Sequence, residues 1–154
     1  MFGAEKGMSG FDLIIKNRVL LPEIRKALSA VFGLPEGCVF AIEGYPEETL
    51  SDSVKILSMS TEVGGDFQTH LSIELLDSEV RVDFTLIAAR LSHELKSECL
   101  FPDSSENPYS MWLISPDFSN RRVNLRADDC DNGEYRLIKG GLKNEPDDSV
   151  ESLR

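Results

Sequence analysis

No stretch of the 154-residue chain approaches the run of about eighteen apolar side chains that a membrane-spanning helix requires, so no such span is expected. Basic residues are also scarce, with 16 Lys and Arg against 27 Asp and Glu and a net charge of −11. A field of that sign repels phosphate backbones and anionic headgroups and steers basic partners inward. Nucleic acid and membrane surfaces are therefore disfavoured as partners, and the basic trio Arg121, Arg122 and Arg126 is too small to reverse this. Cysteine is limited to Cys38, Cys99 and Cys130, an odd number, far apart and without a Cys-x-x-Cys spacing. The opening residues lack the basic-then-apolar pattern of a secretory leader, so free thiols in a reducing cytoplasm are expected.

Signatures of chemistry are missing as well. There is no Gly-x-Ser-x-Gly elbow for a nucleophile and no Gly-x-x-x-x-Gly-Lys loop for phosphate, and Gly64-Gly65 falls between two strand patterns. His70 and His93 have no second ligand at metal-binding spacing. Ser92, His93 and Glu94 are successive helix positions, which point about 100° apart and do not converge. Asp128 to Glu134 opens like a calcium loop, but its third position is Cys130 and its twelfth is Lys139 in place of a bidentate glutamate. No catalytic residue, metal or cofactor is expected, and the chain does not read as an enzyme.

What is present begins with a periodic stretch from Asp83 to Phe101. Phe84, Ile87, Ala88, Leu91 and Leu95 recur three or four apart and face one way, with Arg90, Ser92, Glu94 and Lys96 on the wetter side. Asp83 can cap the first turn, and Pro102 predicts the end. A shorter helix is expected with Pro22 in its first turn, Ile24, Ala27, Leu28 and Val31 on its apolar face and Gly33 at its end, and the sequence leaves open whether it begins earlier and kinks at Pro22. Phe11 to Leu21 is ambiguous between strand and helix. Cys38–Glu43, Ser53–Val63 and Phe67–Leu76 read as strands, with Gly64-Gly65-Asp66 as a hairpin connection. In the last of these, Phe67, Thr69, Leu71, Ile73 and Leu75 share a dry face, while Gln68, His70, Ser72 and Glu74 form a wet one. Tyr109–Ser115 is apolar on both sides of Trp112, as a central strand would be. Arg121–Ala127 and Glu134–Lys139 form a last pair around Asp131-Asn132-Gly133.

With 41% hydrophobic and 28% charged residues, this length suits one folded domain. The expected class is α+β: a mainly antiparallel sheet of about five or six strands with two helices packed on it. Residues 1–10 are expected to be a flexible N-terminus, 11–140 the domain, and 141–154 an acidic disordered tail.

The charge is unevenly placed. Residues 1–33 carry +2, residues 34–80 carry −9, residues 81–126 balance, and residues 127–154 carry −4. Glu43, Glu47, Glu48 and Asp52 lie in or beside one loop and, with Glu62 and Asp66, form one candidate group. Asp128, Asp129, Asp131 and Glu134 form a second at an expected hairpin tip. Carboxylates on loops held by a rigid sheet suit an electrostatically steered grip on a basic protein.

The segments Ile87-Ala88-Ala89-Arg90-Leu91-Ser92, Leu100-Phe101-Pro102-Asp103, Asn107-Pro108-Tyr109, Trp112-Leu113-Ile114 and Val123-Asn124-Leu125 together resemble the latter half of small acidic bacterial immunity proteins. These neutralise toxins delivered between competing cells in contact-dependent or polymorphic systems. The resemblance covers about a third of the chain. It implies a cytoplasmic, non-catalytic inhibitor of one cognate toxin domain, often a basic nuclease, and it transfers no binding residue. Small acidic secretion chaperones, which dimerise around an effector segment, are similar in size, pI and element order. They usually close with a further helix, whereas this chain is expected to end in a hairpin and a polar tail.

Overall fold

The computed structural model describes residues 9–76, 83–103 and 105–138. The expected tail at 141–154 and all but the end of the expected flexible N-terminus lie outside these residues. The described chain is α+β with a mainly antiparallel sheet. Its first strand, β1 (Ser9–Ile15), settles the ambiguity at Phe11. Leu13 and Ile15 are buried on one face and Ile14 on the other, as a strand covered on both sides requires. Helix α1 (Leu21–Phe32) follows, with Pro22 in its first turn and the Glu23 carboxylate accepting from the Leu20 amide at 3.0 Å. Gly33 ends it at φ 68°, a left-handed conformation that glycine adopts without a side-chain penalty.

Strands β2 (Val39–Glu43), β3 (Ile56–Glu62), the two-residue β4 (Gly64–Gly65) and β5 (Thr69–Leu75) come next, then helix α2 (Phe84–Leu95). Strands β6 (Cys99–Pro102), β7 (Ser110–Ile114) and β8 (Asn120–Asn124), the single helical turn α3 (Ala127–Cys130) and β9 (Glu134–Tyr135) complete the described chain. The main sheet has seven strands in the order β2-β3-β5-β1-β6-β7-β8, and β4 and β9 make a separate pair. Among the described residues, the only parallel neighbours in the main sheet are β2 and β3.

Both long helices lie on one face. Ile24, Ala27, Leu28 and Val31 of α1 and Ile87, Ala88 and Leu91 of α2 share one core with Leu13, Ile15, Leu71, Ile73 and Leu75. Helix α2 lies nearest to β1, β6 and β7, so the cover expected from the dry face of β5 comes mainly from these strands. Burying one such leucine contributes roughly 1.5–3 kcal/mol. A second core lies on the other face around Ile14, Leu100, Leu113 and Val123, under Phe67, Leu125 and the half-buried Tyr135 and Leu137.

Several expectations change. Asp83 caps α2 as read, accepting from the Thr85 and Leu86 amides, but the helix stops at Leu95 and not at Phe101. Lys96 takes a left-handed conformation at φ 55°, and the chain then extends, because Cys99 and Leu100 are fully buried on opposite sides of a strand between β1 and β7. Pro102 ends that strand, where a missing donor costs little.

Phe67 leaves the dry face expected of it. The strand begins only at Thr69, and Phe67 turns into the second core. The β3–β5 pair is antiparallel, yet Gly64 and Gly65 are not a tight hairpin tip, since they pair with Glu134 and Tyr135. At Gly65 (φ 93°) a Cβ would stand 2.7 Å from the Tyr135 backbone, which only glycine allows. The expected hairpin at Asp131–Gly133 is replaced by α3 and a turn. Leu125 and Leu137 still pair, with the Ile138 amide donating to Asn124 at 2.9 Å. The strand holding Trp112 is β7, one place in from the sheet edge.

Candidate functional site

Strands β1, β3 and β2 run parallel, because β5 is antiparallel to both β1 and β3. The chain moves outward from β1 to β2 through α1 and returns one strand inward from β2 to β3 through residues 44–55. Reversing the direction of travel while keeping the same crossover hand requires the opposite face of the sheet. Accordingly, the 44–55 connection crosses the face away from the helices. There it meets Phe40 and Ile42, which alternate with Val39 of the helix-side core.

This connection has no helix or strand of its own, a length at which structureless segments are commonly functional. Its ends are fixed: the Gly44 amide donates to Ser60 at 2.9 Å, and the Lys55 amide to Cys38 at 2.8 Å. A turn near the far end is closed by the Val54 amide on the Ser51 carbonyl at 3.1 Å. Between connection and strand is a cavity of about 440 Å³. Phe40, Ile42, Pro46, Leu50 and Val54 supply its apolar walls, and Glu43, Glu47 and Glu48 line it as well. Tyr45 also lines it and is 79% exposed.

Glu43 borders a second cavity of about 340 Å³, which is polar and is lined also by Arg18, Glu62 and Gln68. Arg18 and Glu62 pair there at 3.4 Å. The first acidic group is thus brought together at Glu43, Glu47 and Glu48, with exposed Asp52 in the same connection and Glu62 across the strand ends. Asp66 belongs elsewhere. Its carboxylate accepts from the Leu137 amide at 3.0 Å and its own amide donates to Tyr135 at 2.8 Å, so it clasps the later chain and lies beside Glu134.

Of the second group, Asp128 and Asp129 sit on α3, Asp131 on the turn after it and Glu134 at the start of β9. Asp129 pairs with Arg126 and Glu134 with Arg136, each at 3.1 Å. Among the described residues, Glu43, Glu47, Glu48, Asp52, Asp128 and Asp131 have no ion-pair partner. Residues 39–54 hold four of these six and no Lys or Arg, so uncompensated charge is concentrated beside an apolar cleft.

Phe40 and Tyr45 were not among the expected contact residues. Tyrosine between Gly44 and Pro46 in an acidic loop was the available signal, since such a ring has little core to enter. For Phe40 there was none, because its role depends on which face the crossover takes.

Groups with proton chemistry do not converge. The Ser92 hydroxyl is buried and donates to the Ser97 carbonyl at 2.7 Å, while exposed His93 bonds the Pro116 carbonyl at 2.8 Å and stacks on Phe118. His70 lies on the face away from the helices with its Nε2 3.7 Å from Asp12, and this imidazole is the main cause that holds the Asp12 carboxyl below the usual range. Among the described residues, no group of three or more His, Cys, Asp or Glu is placed to hold a metal ion, and no helix is long and apolar enough to cross a membrane. No protein-family model, curated protein or solved structure matches the chain.

Proposed function

We propose that this chain is a non-catalytic cytoplasmic immunity protein that binds a basic toxin domain and blocks it by occlusion. The observation that carries the reading is the coincidence of unpaired carboxylates, an exposed tyrosine and an apolar cleft on the 44–55 connection. The carboxylates raise the encounter rate with a cationic surface, and a desolvated apolar centre ringed by polar groups slows release. Neither part requires bond-breaking chemistry.

The test takes the products of the genes flanking this one as purified proteins, with a basic toxin domain expected among them. Raising NaCl from about 50 to 300 mM should slow association at least tenfold, as screening removes steering. Glu47→Gln with Glu48→Gln should reproduce part of that loss at low salt. Co-expression should protect cells from the domain. An association rate indifferent to salt would overturn the proposal. So would a two-fold dimer that holds an unfolded effector segment in apolar grooves, which is the behaviour of a secretion chaperone.

A further inference from the structure

We infer that the cleft under the 44–55 connection is a socket for one long cationic side chain of the partner, arginine in preference to lysine. The inference rests on the proposed binding role and assigns the chemistry its centre recognises. A purely apolar cavity would select leucine or phenylalanine, and an acidic rim alone would hold a hydrated cation. Here Phe40, Ile42, Leu50 and Val54 offer apolar wall, while Glu43, Glu47 and Glu48 line the same cavity, and among the described residues none of the three is in an ion pair. Arginine and lysine carry an apolar stem and a charged head, so one side chain meets both requirements.

Arginine fits better for two reasons. Its planar fork can engage carboxylates through two hydrogen bonds, and it is more weakly hydrated than an ammonium group, so it enters a partly desolvated site at lower cost. Tyr45, 79% exposed at the cavity, has a ring face available to lie against a guanidinium. The cavity of about 440 Å³ lies within the range of side-chain and small-ligand sites. The turn at α3 borders neither cavity and carries two unpaired carboxylates, Asp128 and Asp131, so it provides a control that matches Glu47 and Glu48 in number.

The experiment is an amide-resolved NMR titration of the full chain with three blocked pentapeptides that carry a central arginine, lysine or norleucine between leucines. The arginine peptide should shift amides confined to residues 40–54, with lysine weaker and norleucine weaker by about tenfold or more. Glu47→Gln with Glu48→Gln should abolish the preference for arginine over norleucine, while Asp128→Asn with Asp131→Asn should leave it intact. Equal binding of the norleucine peptide, or arginine-induced shifts spread over both acidic regions, would overturn the socket. If these peptide results fail while the intact toxin domain still associates in a salt-dependent manner, the socket is wrong and the binding role stands. If the domain also fails to associate, both fall.

Discussion

The Asp103 side chain is 1% exposed, yet it is charged and fully engaged. It accepts from the Ser110 hydroxyl and from the Ser105 amide at 2.9 Å, and it pairs at 3.2 Å with Arg122, whose guanidinium lies 4.9 Å from the centre of the Trp112 ring. Burial pushes the carboxyl upward, but the serine hydrogen bonds and Arg122 outweigh it and hold the group below the usual range. A carboxyl with a lower pKa folded than unfolded adds stability above its unfolded value and loses that stability as pH falls through its folded one. Asp103→Asn should therefore cost about 1–3 kcal/mol at pH 7 in urea unfolding and flatten the decline of stability between about pH 5 and 2. Cys99 moves the other way: burial, offset in part by a Ser92 hydrogen bond and reinforced by Glu98, pushes its thiol to about 12. In thiol titration at pH 8, half-buried Cys38 should react in the folded protein, and Cys99 only after denaturant is added.

At the scale of elements, legibility depended on how local the determinant was. Pro22 marked a first turn of α1 without deciding whether the helix began before it, and the helix begins at Leu21, whereas its end was readable because Gly33 carries its backbone preference in its own covalent structure. The start of α2 was readable for the same reason, through Asp83. Its end was not, because a lysine gives no sign that it will adopt φ 55°, and the apolar residues from Cys99 to Phe101 extended the helical pattern past the true stop. Lys96→Gly should relieve this conformation and raise the urea midpoint, a gain of about 0.5–1 kcal/mol. The pairing of Gly64-Gly65 with Glu134-Tyr135 joins segments some seventy residues apart and left no local pattern to read. The same division holds for the candidate site. Its acids were visible as composition, whereas its apolar wall depends on Phe40 and Ile42 being on the face that the return crossover covers.

For the whole molecule, −11 is a load that the fold carries and that the proposed basic partner would relieve. The six described pairs of Lys or Arg with a carboxylate leave the acids of the 44–55 connection uncompensated, so repulsion among carboxylates works against the compact state. Raising NaCl from about 20 to 200 mM should lift the thermal midpoint by a few degrees in scanning calorimetry, opposite in sense to its effect on association with a basic partner. The position of β1 has its own consequence for synthesis. It leaves the ribosome before the other described strands but lies in the interior of the sheet, flanked by residues 69–75 on one side and Leu100 and Cys99 on the other. A nascent chain therefore carries an apolar strand with one bare edge until Cys99 and Leu100 have emerged, and translation must outrun the chance that a second nascent chain occupies that edge first.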